Sequence, residues 1–169
     1  KKAFEIVRSS NYSGSKEYEL KWLVMHPGGT TINNETKAIR SLNAKHNGGN
    51  ELIERTGLKA AERRDILNQG LCLLCWSDTE YQSLAILEAL SCGCPVISRP
   101  VGWLKHQLVP GVMLAKNPAQ ASAHIMRLAS DPNLQSQLAA AARKEILDKH
   151  RMEAVASQWE AIVEKMAKK

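Results

Sequence analysis

Leu71-Cys72-Leu73-Leu74-Cys75-Trp76, Ser77-Asp78-Thr79-Glu80-Tyr81-Gln82-Ser83, Leu84-Ala85-Ile86-Leu87-Glu88-Ala89-Leu90 and, after Ser91-Cys92-Gly93-Cys94, Pro95-Val96-Ile97 form the stretch on which the fold turns. The six residues from Leu71 are continuously apolar, which reads as a strand buried on both faces. The polar break at Ser77-Asp78-Thr79 leads into a helix carrying Leu84, Ile86, Leu87 and Leu90. Gly93 stops that helix, and Pro95-Val96-Ile97 follows as a second short buried strand. Two buried strands joined by a helix form a parallel unit.

Outward from this unit the alternation continues. Leu20 to Met25 reads as a strand closed by the turn His26-Pro27-Gly28-Gly29. Asn33 and Asn34 cap a helix with Ala38, Ile39 and Leu42 on one side. Glu51 to Arg55 is a weaker strand pattern ending at Thr56-Gly57. Ala60 to Gln69 reads as a helix with Leu58, Ala61, Ile66 and Leu67 inward and Gly70 as its stop. Gly111 to Ala115 is the last strand pattern. Beyond it, Asn117-Pro118 and Asp131-Pro132 each pair a cap residue with a proline at the first helical position. An alanine-rich helix then runs towards Lys149, and an amphipathic one spans roughly Met152 to Met166. There is no internal repeat and no low-complexity segment. These patterns imply an α/β fold: a Rossmann-like parallel sheet with helices on both faces and a helical C-terminal tail. Residues 1–150 form the domain and residues 151–169 the final helix. Such sheets bind ligands beyond the carboxyl ends of their strands, so the chemistry is expected in the loops after Met25, Arg55, Trp76 and Ile97.

Bulk properties narrow the class. The 169 residues suffice for one sizeable core, and 44% apolar with 24% charged residues is a globular mixture. No apolar stretch approaches the ~20 residues that span a bilayer, and no signal peptide is visible. The chain opens on Lys1-Lys2-Ala3-Phe4-Glu5-Ile6-Val7 without an initiator Met, which reads as the interior of a helix and implies a fragment of a longer protein. A net charge of +6 suits an anionic partner: a nucleoside diphosphate, a membrane surface or nucleic acid. The basic residues are scattered and aromatics make up only 5%, which argues against a reader of RNA or DNA. Cys72 and Cys75 have C-x-x-C spacing. On a strand, however, positions three apart point to opposite faces, and Cys92 and Cys94 bracket Gly93 at a helix end. All four read as small buried hydrophobes of a reducing cytoplasm, and no metal site is expected.

The polar residues of the deciding stretch carry the chemistry. Glu80 lies in the loop after the strongest strand. Glu88 lies inside the following helix, on a side otherwise formed by Leu84, Leu87 and Ala85, where a carboxylate needs a partner. Ribose hydroxyls are natural donors to it. Between the two acids the amides of Ser83 and Leu84 open the helix, and a helix start attracts phosphate. Singly, Glu80 is an ordinary loop acid and Glu88 an exposed helix acid. Together they can lay a sugar, a diphosphate and a ribose along one corner.

With Glu80-x7-Glu88 followed by Glu88-Ala89-Leu90-Ser91-Cys92-Gly93-Cys94-Pro95-Val96, the chain resembles the large retaining glycosyltransferase family of the GT-B fold. That family's signature is S-x-x-E-G-F-G-L-x-x-L-E-A-x-A-x-G-x-P-V. Ser77 matches its serine, Ser83-Leu84 fall at its Gly-Leu, and Val101-Gly102 match the start of a later V-G-G element. The resemblance implies the C-terminal, donor-binding domain of such an enzyme, transferring a sugar (hexosyltransferase-type) with retention in glycan or polysaccharide biosynthesis. Glu80 would contact the transferred sugar and stabilise the charge developing at the reacting carbon. The Ser83 and Leu84 amides would hold the diphosphate, Glu88 the ribose hydroxyls, and Gly57 with Leu58 would lie by the base. Tyr81 and Gln82 stand where the family has glycine and an aromatic, closing the backbone in on the sugar. Trp103 replaces the second glycine of the later element, and His106 falls where a glutamate is frequent.

The donor would be a nucleotide sugar such as a UDP- or GDP-sugar, with no cofactor and no metal, helix dipole and basic side chains supplying the electrostatics. The family's acceptor-binding N-terminal domain is the expected partner of Val155, Trp159, Ile162 and Val163 on the last helix, and the fragment alone is expected to be inactive. Location would be cytoplasmic, peripheral at a membrane. A GT-B-like nucleotide-sugar epimerase and a non-catalytic α/β nucleotide- or protein-binding module are the alternatives, and the module has no need of both acids at that spacing.

Overall fold

A computed structural model describes Trp22–His26 and residues 52–168, with side chains from residue 57 onward. The expected helices at Lys1–Val7 and around Ala38–Leu42, and the turn after His26, lie outside the described residues. Strands β1 (Trp22–His26) and β2 (Leu52–Thr56) pair in parallel, Trp22 opposite Leu52 and His26 opposite Thr56. Helix α1 (Ala60–Gln69) follows, then β3 (Leu73–Cys75), α2 (Leu84–Ser91), β4 (Val96–Ser98), a 3-10 turn (Gly102–Lys105) and β5 (Val112–Leu114). Helices α3 (Pro118–Ser130), α4 (Pro132–Lys149) and α5 (Met152–Ala167) complete the chain. Strands β3, β4 and β5 form a second parallel sheet in that order, with Leu73 opposite Val96 and Val96 opposite Val112.

The three-residue ladders are shorter than the apolar runs predict, and proline is the reason. Central β4 is bracketed by Pro95 and Pro100, whose nitrogens cannot donate, so its neighbours pair only across Val96–Ser98. The Pro95 carbonyl still receives the Leu73 N–H at 2.8 Å, just where β3 begins. All three β4 residues are buried, as a strand covered on both faces requires.

Alternation along the strands separates two cores. Val96, Leu73, Cys75, Val112 and Leu114 face one side, where Leu67 of α1, Ile86, Ala89 and Leu90 of α2 and Ala142 of α4 pack. Ile97, Leu74 and Met113 face the other, covered by Ala121, Ile125 and Leu128 of α3 and by Leu134 and Leu138 of α4. Cys75 thus joins the first core and Cys72 the second. All four cysteines are free, and burial holds Cys72 and Cys94 neutral, pushing the thiols up to about 12 and about 11. Each fully buried Ile86, Leu90, Ile97 or Leu128 contributes about 1.5–3 kcal/mol through desolvation.

Helix ends follow the capping chemistry. Asn117 Oδ1 accepts the Gln120 N–H at 3.0 Å and Asp131 Oδ1 the Leu134 N–H at 3.0 Å, each with proline next in sequence. α2 closes in a Schellman arrangement: Cys94 N–H donates to Ala89 O (2.9 Å) and Gly93 N–H to Leu90 O (3.0 Å), with Gly93 at φ +70°.

Two inward faces differ from the expectation. In α1 only Leu67 is buried; Ala61 is exposed, and Leu58 and Ile66 are half-buried. In α2 the buried residues are Ile86, Ala89 and Leu90, while Leu84 is 74% exposed. An eight-residue helix buries one stripe, and Ile86-x2-Ala89-Leu90 is that stripe at i, i+3, i+4; Leu84, Ala85 and Glu88 fall opposite it. Among the described residues, no helix is long and apolar enough to cross a membrane.

Candidate functional site

The loops after β3 and β4 meet at the carboxyl edge of their sheet, and Arg63 ties the loop after β2 to α2. Residues 76–83 carry the chain from β3 to α2, and Ser83 is the N-cap residue of that helix, its carbonyl accepting the Leu87 N–H at 3.2 Å. Ser83 is buried, Tyr81 and Gln82 are exposed, and Glu80 is half-buried. The helix start between the two acids is therefore where the sequence places it.

The loop is held from behind by Gly102. This residue sits at φ +53°, and a Cβ there would collide with the carbonyl oxygens of Glu80 and Tyr81 and lie 2.9 Å from the Glu80 carbonyl carbon. Trp103 N–H donates to Tyr81 O at 2.9 Å, fastening the two segments. Only glycine meets both demands, a positive φ and a backbone in direct contact. The V-G element seen in the sequence is thus a support for the Glu80–Tyr81 backbone.

Glu88 does not sit among buried apolar side chains, because Leu84 and Ala85 beside it face outward. Its partner is Arg63, which spacing alone did not reveal. Arg63 Nε donates to Glu88 Oε2 at 3.2 Å and Nη2 to Oε1 at 3.1 Å, a two-pronged pair with side chains 35% and 47% exposed. Nη1 of the same guanidinium donates to Leu58 O at 2.8 Å. One cation thereby joins the second turn of α2 to the Gly57–Leu58 loop after β2. Gly57 has φ +62° and open space around it. No rule of local spacing links positions 25 apart, so this contact was invisible in the sequence.

A second cation lies at the same edge. Arg99, immediately after β4, pairs with Asp78 in the β3–α2 loop and lies over the Trp76 ring at 6.0 Å from its centre. Trp103 packs edge-on against His150 (5.7 Å, 80°), and its indole N–H is buried without a partner. A depression of about 570 Å³, lined by Gln82 of the β3–α2 loop and Leu87 of α2, extends to Leu108, Glu145 and Val155. Among the described residues, no group of three His, Cys, Asp or Glu side chains comes together.

The structure therefore brings Glu80, Tyr81, Gln82, Ser83 and Leu84 into one loop-to-helix corner, and connects Glu88 to Leu58 through Arg63. A parallel α/β domain with this corner at its carboxyl edge, ending in a long helix, is similar in fold to the C-terminal Rossmann-like domains of GT-B glycosyltransferases. Residues 51–161 match the family described as glycosyl transferase-like, and the chain belongs to it. No curated protein is similar enough to match. Among solved structures, sucrose-phosphate synthase from Thermosynechococcus elongatus aligns with a TM-score of 0.65 at 21% identity, over 85% of this chain and 38% of that one. S. aureus TarM, solved with fondaparinux, alpha-GlcNAc-glycerol and UDP, aligns with a TM-score of 0.67 at 16% identity, over 95% and 31%. The C-terminal domain of a glycosyl transferase group 1 family protein (LpcC) from Francisella tularensis aligns with a TM-score of 0.61 at 19% identity, over 70% and 64%. The chain thus spans about a third of the length of the first two.

Proposed function

We propose that this chain is the donor half of a retaining glycosyltransferase, binding a nucleotide sugar at the corner between β3 and α2. The observation that carries the reading is the Arg63 bridge. It sets the Glu88 carboxylate beside the Gly57–Leu58 loop, so that a nucleoside lying on that loop meets an acid at its ribose. From there the diphosphate reaches the Ser83 and Leu84 amides at the helix start, and the sugar reaches Glu80. Arg99, paired with Asp78, braces the β3–α2 loop from β4. The similarity to TarM, which was solved with UDP, supports a nucleoside diphosphate as the ligand class.

In mechanism, the leaving diphosphate gains negative charge as its bond to the sugar breaks, and amides already aimed at it stabilise that charge without reorganising. Glu80, negatively charged beside the sugar, opposes the positive charge that builds at the reacting carbon. Retention requires the acceptor to arrive on the face the diphosphate leaves. No metal ion is needed in this scheme. The acceptor, a growing glycan or polysaccharide, is held by a further domain that packs on the exposed side of α5, where Trp159, Ile162 and Val163 are 63%, 49% and 59% exposed. The chain alone binds donor without transferring it, and the whole enzyme works in the cytoplasm, peripherally at a membrane.

Calorimetry with UDP, GDP and ADP tests the donor site. The chain binds one of them, and Glu88→Ala weakens that binding by about 1.5–3 kcal/mol, the usual cost of losing hydrogen bonds to a charged group. A chain that binds none of the three, or whose binding Glu88→Ala leaves unchanged, contradicts the ribose assignment.

A further inference from the structure

We propose that the depression beside Gln82 is a subsite for a neutral sugar of the acceptor, supplied by this domain in addition to what the further domain holds. The inference rests on the donor-site reading above, which makes a glycan the second substrate. Gln82 joins the two places: it belongs to the loop that carries Glu80, and it also lines the depression. A sugar lying there is next to the corner where the transferred sugar arrives.

Three segments supply the other walls. The stretch after the 3-10 turn brings Gln107 and Leu108, the last turn of α4 brings Glu145 and Lys149, and the start of α5 brings Val155 and Gln158. Spacings of four in α4 and three in α5 put each helical pair on one side of its helix. The feature that points to a ligand is Glu145. Its side chain is 9% exposed, and among the described residues its one donor is Lys149 Nζ, on Oε1 at 2.9 Å. A carboxylate taken out of water is costly unless its oxygens are hydrogen-bonded, and Oε2 has no such partner among those residues. This acid lines a depression of about 570 Å³, within the ~300–1,000 Å³ of small-molecule sites. A ligand hydroxyl donating to Oε2 completes the set.

The rest of the lining selects the kind of ligand. Lys149 is already paired with Glu145, so the two charges cancel and no ammonium is left over for a phosphate. His150 packs its ring against Trp103. What remains is the amides of Gln82, Gln107 and Gln158, each both donor and acceptor, and the aliphatic Leu87, Leu108 and Val155. Hydroxyls interleaved with C–H faces match that mixture, which is the surface of a neutral sugar ring. The charge and flat base of a nucleoside diphosphate do not.

The experiment titrates the isotope-labelled chain with maltotriose, mannotriose, N-acetylchitotriose and, as an anionic control, inorganic phosphate, each with and without UDP, GDP or ADP. One trisaccharide binds with a Kd on the order of 1 mM, the scale of a few hydrogen bonds. It moves the amides of Gln107, Leu108, Glu145 and Gln158, and nucleotide does not displace it. Glu145→Met, which keeps the volume and removes the acceptor, weakens it on the order of 10-fold, and Gln158→Ala, at an exposed position, about 5-fold. The amide spectrum confirms that each variant is folded; should Glu145→Met not fold, Gln158→Ala decides. If no trisaccharide moves those amides, if a folded variant binds as tightly as wild type, or if phosphate or nucleotide moves them instead, the inference is wrong. A trisaccharide that shifts Tyr81 to Leu84 and is displaced by nucleotide has bound in the donor corner, and overturns it as well. The donor-site reading fails separately: a trisaccharide held at the depression, with no nucleotide shifting Gly57, Leu58 or the corner, leaves the sugar subsite and removes that reading.

Discussion

Replacing Gly102 with alanine separates two costs that the structure places at one residue. The first is conformational: φ is +53°, and a side chain in the left-handed region costs about 1–2 kcal/mol. The second is steric, because the new methyl would enter the Glu80–Tyr81 backbone, which has to move away; overpacking of this kind costs about 1–3 kcal/mol. Together they predict a loss of about 2–5 kcal/mol. Gly57 provides the control. It has a similar φ of +62° but nothing within 4 Å, so Gly57→Ala incurs the conformational cost alone. Urea denaturation of the two variants, followed by circular dichroism, should place Gly102→Ala at least 1 kcal/mol below Gly57→Ala. The displaced loop should also weaken nucleoside diphosphate binding in Gly102→Ala by more than the melt alone explains. Equal stabilities for the two variants would mean that Gly102 does not support the loop, and the reasoning from the close approach would be refuted.

Other perturbations test the core and the thiols. Leu90→Ala should cost about 2–5 kcal/mol in chemical denaturation, while Leu84→Ala, at 74% exposure in the same helix, should change stability by less than about 0.5 kcal/mol; similar losses at both positions would invalidate the helix phase. Stability should fall as pH rises above about 9. Cys72 and Cys94 ionise in the unfolded chain near 9.0 but stay neutral in the fold until about 12 and about 11, so the unfolded state releases protons first. Each thiol then withdraws about 1 kcal/mol per pH unit across that window, and nothing below it. Melts from pH 8 to 10.5 check this: replacing both residues with Ala should flatten the slope, and a slope the double variant retains counts against it. Trp159→Ser should leave the stability of this chain within about 0.5 kcal/mol, because the ring is largely in solvent; a larger loss on melting would show that α5 is packed more tightly than its exposure indicates.

Much of the architecture was legible because its signals are local. The caps Asn117 and Asp131 each lie three residues from the amide they accept, and the Gly93 stop reports on the turn it ends. Strand lengths were overread because an apolar run such as Leu71–Trp76, half-buried throughout, records packing against the two cores, whereas the ladder is limited by the prolines flanking the neighbouring strand. The face of α2 was misassigned for a related reason. Leu84, Ile86, Leu87 and Leu90 cannot all point inward on an eight-residue helix, and hydrophobicity alone does not say which of them yields. At the site, the corner from Glu80 to Glu88 was readable as one continuous segment. Arg63 was not, since the partner of Glu88 comes from another helix and is chosen by packing. Gly102 was visible as a motif but not as a support, because only coordinates reveal which backbone it touches.

The most direct measurement of the central claim is a map of backbone amide shifts in the isotope-labelled chain as UDP, GDP or ADP is added. Binding at the β3–α2 corner predicts the largest changes at Gly57, Leu58, Tyr81 to Leu84 and Glu88, with little at α5. Changes centred instead on the depression lined by Leu108, Glu145 and Val155, with the corner silent, would contradict it.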